Sequence, residues 1–217
     1  MSRYCGQCKK AKKACICHWV QVIDAKTELW ILQHPSEINR AIGTARILTL
    51  SLPNAHLWVG EDFSEHDEIN ALLSDKNRDV WIVYPGDGSI PISQLVTSSL
   101  SMHSDTVKEG VSNKIRTLIL LDGTWKKAFK MWQLSSNLQL LPTVNLDNAD
   151  NGNYRIRKSP KDQGVSTVEA GYLALIALEE HPEKFQPLLD TFNKMIDFQI
   201  QQMPEGVYQK NYGASSN

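Results

Sequence analysis

The chain has 217 residues, of which 41% are hydrophobic, enough for one α/β domain with a full core and a small appendage. Its formal net charge is −1, which excludes a protein coated in positive charge, so any nucleic-acid binding must rely on local basic patches. The sequence contains no apolar stretch typical of a membrane span or a signal peptide. We therefore expect a soluble, cytoplasmic protein without a membrane partner.

All four cysteines lie near the amino end, in the pattern Cys5-x2-Cys8-x6-Cys15-x-Cys17. In a cytosolic chain, two close pairs of thiols joined by a short loop favour a tetrahedral zinc site, because tight turns can present thiolates to zinc. His18 could replace one cysteine as a ligand. An iron–sulfur cluster, or reduced thiols without a ligand, would also be compatible with this spacing. We predict a cysteine-rich zinc-binding segment over residues 1–25.

The first strand of the main domain is predicted over residues 28–32, and polar chemistry follows at its exit. Pro35 suits the first position of a helix, and an apolar stripe over residues 38–52 predicts that this helix continues. The polar residues at this exit are His34, Glu37, Arg40 and Thr44. Their concentration indicates a site, whereas the ordinary explanations are a Glu37–Arg40 ion pair and a structural His34.

The next elements are a strand over residues 56–59, a helix over 64–73 and a strand over 79–84. The last strand leads into Pro85-Gly86-Asp87-Gly88, a loop whose residues let backbone amides approach a ligand closely. A helix is predicted over 91–100. A mobile surface loop is predicted over 101–114, because its composition is polar and unpatterned.

The central stretch of the chain is LILLDGTWKKAFKMW, from Leu118 to Trp132. A nearly continuous apolar run over 115–121 predicts a parallel strand that is buried on both faces and ends at Asp122. Gly123 permits a tight turn, and the hydroxyl of Thr124 is expected to cap a helix. Ala128, Phe129 and Trp132 recur at helical spacing in that helix.

This strand–helix junction places a carboxylate at the sheet edge where α/β proteins bind ligands. Lys126 and Lys127 occupy the first helical turn, where the helix dipole disfavours cations, so an anionic partner is indicated. Trp125 offers a flat face for a base or an adenine. The competing interpretation is a structural turn in which Asp122 only caps, Trp125 packs and the lysines are solvated.

The remaining chain predicts a strand over 138–146 and an edge strand with one cationic face over 154–158. Tyr154 of that edge strand could stack on a base. Ser166 and Glu169 fit a capping box that opens a helix, and helix-start chemistry alone could account for both. A last amphipathic helix is predicted over 182–203.

Strands that alternate with helices predict an α/β fold, with a mainly parallel sheet and helices on both faces. We assign this domain to residues 26–203, followed by a polar tail over 204–217.

Six pieces of the sequence, in this order, together resemble the DTW-domain family, which is named after an Asp-x-Thr-Trp signature. They are the cysteine cluster, His34-Pro35-x-Glu37-x2-Arg40 with Thr44, Tyr84-Pro85-Gly86, Asp122-Gly123-Thr124-Trp125, Tyr154-Arg155-x-Arg157-Lys158, and Ser166-Thr167-x-Glu169-Ala170. The resemblance covers most of the chain.

This resemblance implies a SPOUT-like, knotted α/β fold and a tRNA-uridine aminocarboxypropyltransferase. Such an enzyme moves the 3-amino-3-carboxypropyl group of S-adenosylmethionine to N3 of a tRNA uridine, here in the variable loop (acp3U), and releases methylthioadenosine. It is expected to work as a monomer or a homodimer.

We expect Asp122 to act as the general base. The residues expected to bind S-adenosylmethionine are Pro85, Gly86, Leu121, Gly123, Thr124, Trp125, Ser166 and Thr167. The residues expected to bind the tRNA are His34, Glu37 and Arg40 at the uridine and Lys126, Lys127, Tyr154, Arg155, Arg157 and Lys158 along the RNA. Two further functions compete with this one: an S-adenosylmethionine-dependent RNA methyltransferase, and a non-catalytic, zinc-containing RNA-binding protein.

Overall fold

The computed structural model describes residues 2–95, 114–146 and 165–204. The strands in these residues are β1 (Glu28–Gln33), β2 (Ala55–Val59), β3 (Arg78–Val83), β4 (Ile90–Pro91), β5 (Ile115–Asp122) and β6 (Thr143–Asn145). They form one sheet in the order β2-β1-β5-β3-β6-β4, and all the pairings between them are parallel. The predicted α/β fold with a parallel sheet is confirmed.

Helices connect the strands, and two further helices follow the last described strand. They are α1 (Ala45–Ser51), α2 (Asp67–Leu73), α3 (Trp125–Leu134), α4 (Ser136–Gln139), α5 (Thr167–Glu179) and α6 (Pro182–Gln201). Short 3-10 turns are found at Lys12–Ala14 and Pro35–Glu37. Of the helices described, none combines the length and the apolar character that a membrane crossing requires.

Side chains of the central strands alternate between two buried clusters, one on each face of the sheet. On β1, Leu29 and Ile31 belong to the cluster that also holds residues of α1, α5 and α6. Trp30 and Leu32 point the other way, into the cluster that holds residues of α2, α3 and α4. This alternation follows from the two-residue period of a strand, and it confirms helices on both faces.

The cysteine segment packs against the first of these clusters. Cys8, Ile16 and Ile23 are buried there together with residues of the α/β domain. The assignment of residues 1–25 and 204–217 as separate segments stays a prediction.

The helix predicted from Pro35 to residue 52 is wrong, because the chain breaks between a 3-10 turn and α1. Gly43 N–H donates to the Arg40 carbonyl at 3.0 Å. The Lys10 ammonium donates to the carbonyls of Ala41 at 2.7 Å and Gly43 at 3.0 Å. A distant side chain thus binds the carbonyls of this loop, and the helix starts only at Ala45.

Three other predicted boundaries need correction. The strand predicted from Leu138 is wrong in its first half, because Leu138 is buried within α4 and only Thr143–Asn145 pairs in the sheet. The helix predicted from residue 64 begins at Asp67, since the His66 ring caps it by accepting from Ile69 N–H at 3.4 Å. Pro91 belongs to β4, so the helix predicted over 91–100 begins later, at 93–95.

Several predictions fall outside the described residues. They are the end of the helix over 91–100, the loop over 101–113, the edge strand over 154–158 and the tail from 205. The knot stays a prediction.

Candidate active site and metal centre

The carboxylate of Asp122 is held from two sides at the carboxyl edge of the sheet. Gln33 Nε2 donates to Oδ2 at 2.7 Å, and Thr167 Oγ1 donates to Oδ1 in a short hydrogen bond. Asp122 is 7% exposed and Gln33 is 3% exposed. Because one donor comes from β1 and the other from the start of α5, the orientation of this carboxylate is fixed by three elements of the fold.

Parallel pairing brings Gln33 to this position. Gln33 lies directly beside Asp122 in the register of β1 and β5, and both residues end their strands. Gln33 was missed in the sequence, although its place at the end of a predicted strand was the available signal. Its Oε1 is buried without a hydrogen-bond partner in the part of the chain that the structure describes.

The capping box positions Thr167, as the sequence predicted. Ser166 Oγ accepts from Glu169 N–H at 3.4 Å, and the Glu169 carboxylate accepts from Ser166 N–H at 2.8 Å. Thr44 Oγ1 accepts from Val168 N–H at 3.3 Å, which ties the start of α5 to the start of α1. The Ser166 hydroxyl therefore serves the helix start, and the Thr167 hydroxyl reaches the candidate catalytic carboxylate.

His34 is fixed by hydrogen bonds at both ring nitrogens. Nδ1 accepts from Ser36 N–H at 3.2 Å, so Nε2 carries the proton of the neutral ring and donates to Glu61 at 2.9 Å. The His34 N–H donates to the Asp122 carbonyl at 3.0 Å. His34 thus caps the 3-10 turn and adjoins Asp122 through the backbone.

Ion pairs link the loop after β1 to α3. Glu37 pairs with Arg40 at 3.0 Å and with Lys127 at 2.7 Å, so the expected Glu37–Arg40 pair is present. Glu61 pairs with Lys130 at 2.9 Å and with His34, and these hydrogen bonds, Lys130 first, lower the pKa of Glu61. Glu61 was missed in the sequence, although it lies two residues after the end of the predicted strand over 56–59.

An exposed aromatic surface lies at the start of α3. The Trp125 side chain is 49% exposed and the Phe129 side chain is 51% exposed. Trp125 meets Tyr84 edge to face at 6.4 Å between ring centroids, and Tyr84 stacks on Trp132 at 5.3 Å. Burial raises the pKa of Tyr84, so its hydroxyl is protonated at neutral pH. Trp125 therefore keeps a face available for a planar ligand.

The turn between β5 and α3 differs from expectation in one detail. Thr124 takes the N-cap position, but its side chain forms no capping hydrogen bond, so the expected hydroxyl cap is wrong. The helix begins instead through the Thr124 carbonyl, which accepts from Ala128 N–H at 2.8 Å. A side chain at Gly123 would approach Lys127 Cβ to 3.1 Å, so glycine allows this close turn.

The loop that follows β3 reaches the same edge. Pro85 and Gly86 are exposed, and Ser89 N–H donates to the Gly86 carbonyl at 3.0 Å to close a turn. Because β3 and β5 are parallel neighbours, this loop and the turn at Asp122 emerge side by side. Leu121 is half-buried within β5 beside it.

The four cysteines form a compact group, as the sequence predicted. The Sγ atoms of Cys5, Cys8, Cys15 and Cys17 all lie within 4.8 Å of one another. Cys5 and Cys17 are 3.7 Å apart at sulfur, and Cys8 and Cys15 are 3.8 Å apart. A tetrahedral site with bonds of about 2.3 Å requires about 3.8 Å between ligand sulfurs, so the group fits zinc. His18 is not a member of this group, and its ring contacts Trp19.

The thiol pKa values agree with a site built for a cation. Backbone N–H groups of Cys8 and Gln7 lower the pKa of Cys5 to about 6. Burial, followed by the neighbouring thiols, raises the pKa of Cys17 to about 12. Burial and the neighbouring thiols thus disfavour the Cys17 thiolate, and a bound cation would stabilise it.

Together these features define an α/β protein whose candidate site lies at the carboxyl ends of parallel strands and whose amino-terminal segment carries four cysteines that could bind a metal. The chain belongs to the DTW domain family, whose sequence profile matches residues 2–200. The resemblance inferred from the sequence is thus confirmed.

Relatives from animals and from a plant bear names of one kind. The mouse (Mus musculus) protein called tRNA-uridine aminocarboxypropyltransferase 2 is 28% identical over 201 residues, covering 91% of this chain and 63% of the mouse protein. The protein of the same name from Drosophila melanogaster is 26% identical, covering 90% of this chain and 75% of the relative. tRNA-uridine aminocarboxypropyltransferase A from Arabidopsis thaliana is 25% identical, covering 90% and 80%.

The chain spans about 63% of the length of the mouse and macaque relatives that it matches. No solved structure matches the chain.

We expect the purified protein to contain one zinc ion, and Cys8→Ser to lose most of it, because a hydroxyl replaces a thiolate ligand. Metal analysis and the thermal midpoint measure this effect. His18→Ala is the matched control and should keep the full metal content. Full zinc content in Cys8→Ser, or its loss in His18→Ala, would contradict this ligand set.

Proposed function

We propose that this chain is a tRNA-uridine aminocarboxypropyltransferase. It transfers the 3-amino-3-carboxypropyl group of S-adenosylmethionine to N3 of a uridine in the variable loop of tRNA (acp3U) and releases methylthioadenosine. The names of the relatives support the reaction class. The observation that carries the proposal is the Asp122 carboxylate of the DTW signature, oriented by Gln33 and Thr167 at the ligand-binding edge of the sheet.

The reaction makes a bond from uridine N3 to the γ-carbon of the methionine arm and breaks the bond from that carbon to the sulfonium sulfur. The sulfur leaves with the bonding electron pair as a neutral thioether, and the N3 proton must leave the uridine. Asp122 accepts this proton or orients the N3–H for attack. The hydrogen bonds from Gln33 and Thr167 fix the orientation of the carboxylate. The Asp122 side chain therefore needs little reorientation when the uridine binds.

The surrounding turns would bind the donor. Trp125 presents an exposed indole face to the adenine, close to Tyr84. The other proposed donor-binding residues are Pro85, Gly86, Leu121, Gly123, Thr124, Ser166 and Thr167. The hydroxyl and the N–H of Ser166 both belong to the capping box, so Ser166 acts by positioning the start of α5. Orientation of the sulfonium decides which carbon faces the nucleophile, and hence whether the methyl or the aminocarboxypropyl group is transferred.

The tRNA would approach over the basic residues at the same edge. His34, Glu37 and Arg40 would shape the uridine end, and Lys127, which pairs with Glu37 as Arg40 does, would lie beside them toward the RNA phosphates. Lys126 is exposed at the start of α3 and suits a phosphate. The other proposed RNA contacts are Tyr154, Arg155, Arg157 and Lys158. Zinc at the four cysteines would hold the amino-terminal segment in its folded form. A cytoplasmic location, and a monomer or homodimer, stay predictions.

The reaction itself is tested by incubating the protein with S-adenosylmethionine and unmodified tRNA, followed by mass spectrometry of the nucleosides and of the small-molecule product. We expect a uridine that gains the aminocarboxypropyl mass, in step with methylthioadenosine. A methylated nucleoside with S-adenosylhomocysteine would establish a methyltransferase instead. Binding of tRNA without any product would establish a non-catalytic RNA-binding protein.

We expect Asp122→Asn to lower kcat by roughly 10²–10⁴-fold, as for loss of a positioned general base. Its fold should persist, because Gln33 can turn its unpartnered Oε1 toward the new amide. Single-turnover kinetics and donor affinity measure the two effects separately. Asp24→Asn, an exposed carboxylate before β1, is the matched control. Wild-type turnover in Asp122→Asn would remove Asp122 from the catalytic role.

A further inference from the structure

A cavity of about 240 Å³ lies beside the candidate active site, between the cysteine segment, the loop after β1 and the end of α6. The lining residues that matter here are Tyr4, Lys9, Gln33, Arg40, Arg46 and Gln199. The cavity is smaller than the roughly 300–1,000 Å³ of sites for drug-sized ligands, so it can enclose part of a nucleotide, such as its phosphate, and the base would lie at the exposed Tyr4 ring. The basic side chains and the Tyr4 ring that line the cavity take no part in the hydrogen bonds that orient Asp122.

Most of the ionisable amino-acid side chains that line this cavity are basic: Lys9, Lys10, Arg40 and Arg46 stand against Glu37 and the Cys8 thiol. Within residues 2–95, 114–146 and 165–204, neither Lys9 nor Arg46 forms an ion pair, although both line the cavity. Glu37 is the one acid among the described lining residues, and it is already paired with Arg40 and Lys127. Two unpaired cations that face one space indicate an anionic occupant.

Lys9 lines this cavity from a strained backbone conformation. Lys9 has φ of 59°, a left-handed conformation that is uncommon for any residue other than glycine, asparagine or aspartate. It lies in the turn closed by hydrogen bonds from Lys9 N–H to the Cys5 carbonyl at 3.1 Å and from Cys5 N–H to the Lys10 carbonyl at 2.8 Å. Glycine would suit this turn better, so the turn does not explain the lysine side chain.

Tyr4 adds a stacking surface at the same cavity. Its side chain is 60% exposed and lines the cavity, so one face of the ring is open to a ligand. An exposed aromatic ring beside cations is the combination that binds single-stranded RNA, through base stacking and phosphate contacts. A small free anion would use the cations but would leave Tyr4 unexplained.

Gln33 connects this cavity to the proposed chemistry. It lines the cavity and donates its amide N–H to Asp122 at 2.7 Å. A group bound in the cavity therefore lies one side chain away from the candidate catalytic carboxylate.

We propose that the cavity binds a nucleotide of the RNA substrate that flanks the reacting uridine, with Lys9 and Arg46 on its phosphate and Tyr4 stacked on its base. This inference rests on the proposed function. It assigns to the cysteine segment a direct role in RNA recognition, in addition to its metal site.

The charge contacts are tested with the double variant Lys9→Gly/Arg46→Ala, because glycine relieves the left-handed backbone and alanine favours α1. We expect KM for tRNA to rise on the order of tenfold. The slope of log binding constant against log salt should fall by roughly 1.4, because two cations no longer bind phosphates of a single strand. The kcat, the KM for S-adenosylmethionine and the zinc content should stay at wild-type values.

The matched control is Lys26→Ala/Lys76→Ala, which removes the same charge from exposed positions at the opposite edge of the sheet, before β1 and β3. It should keep the wild-type KM and salt slope. The stacking contact is tested with Tyr4→Ala, which should raise KM for tRNA, whereas Tyr4→Phe should not.

Two outcomes overturn the inference. If the wild-type protein modifies tRNA and Lys9→Gly/Arg46→Ala keeps its KM and salt slope, the cavity does not bind RNA. If that variant instead loses affinity for S-adenosylmethionine alone, the anion in the cavity is the carboxylate of the donor. Failure of the proposed function is distinct from both, because the wild-type protein then yields no modified uridine.

Discussion

The pairing of β1 with β5 is the constraint on which the candidate site depends. It sets the last residues of two buried strands side by side, so that the Gln33 amide meets the Asp122 carboxylate at 2.7 Å. Register in a buried parallel sheet is strongly specified, because a one-residue slip would turn Trp30 and its neighbours to the wrong face. Thr167, at the start of α5, donates the second hydrogen bond to this carboxylate. The position of one carboxylate thus follows from the packing of the whole domain.

A series of hydrogen bonds joins the cysteine segment to the residues that hold the Asp122 carboxylate. Lys10 is 7% exposed, and burial lowers its pKa to about 8, yet its ammonium binds the carbonyls of Ala41 and Gly43. The next residue, Thr44, accepts from the first turn of α5, where Thr167 donates to Asp122. The cysteine segment therefore supports the loop after β1 from one side while α3 supports it from the other through Lys127.

The parts of the protein that were predictable depend on neighbours in sequence. Apolar runs identified β1, β3 and β5, the capping box identified the start of α5, and cysteine spacing identified the group of four cysteines. The parts that were missed depend on distant partners. Lys10 binds the carbonyls of the loop that interrupts the helix expected after Pro35, from 31 and 33 residues away, and Gln33 reaches Asp122 across 89 residues. No periodicity encodes such contacts, although the strand ends could have suggested the second.

We expect Thr167 to act by orienting the Asp122 carboxylate, and a double-mutant cycle tests this role most directly. The kcat/KM for tRNA is measured in single-turnover reactions for Thr167→Val, Asp122→Asn and the double variant, at saturating S-adenosylmethionine so that a donor contact of Thr167 does not enter the comparison. If Thr167 serves to orient the carboxylate, the double variant is no slower than Asp122→Asn alone, because the oriented group is already gone. If instead Thr167→Val slows the Asp122→Asn variant by the same factor as it slows the wild-type protein, Thr167 acts independently of Asp122. That result would contradict a catalytic carboxylate oriented by Thr167.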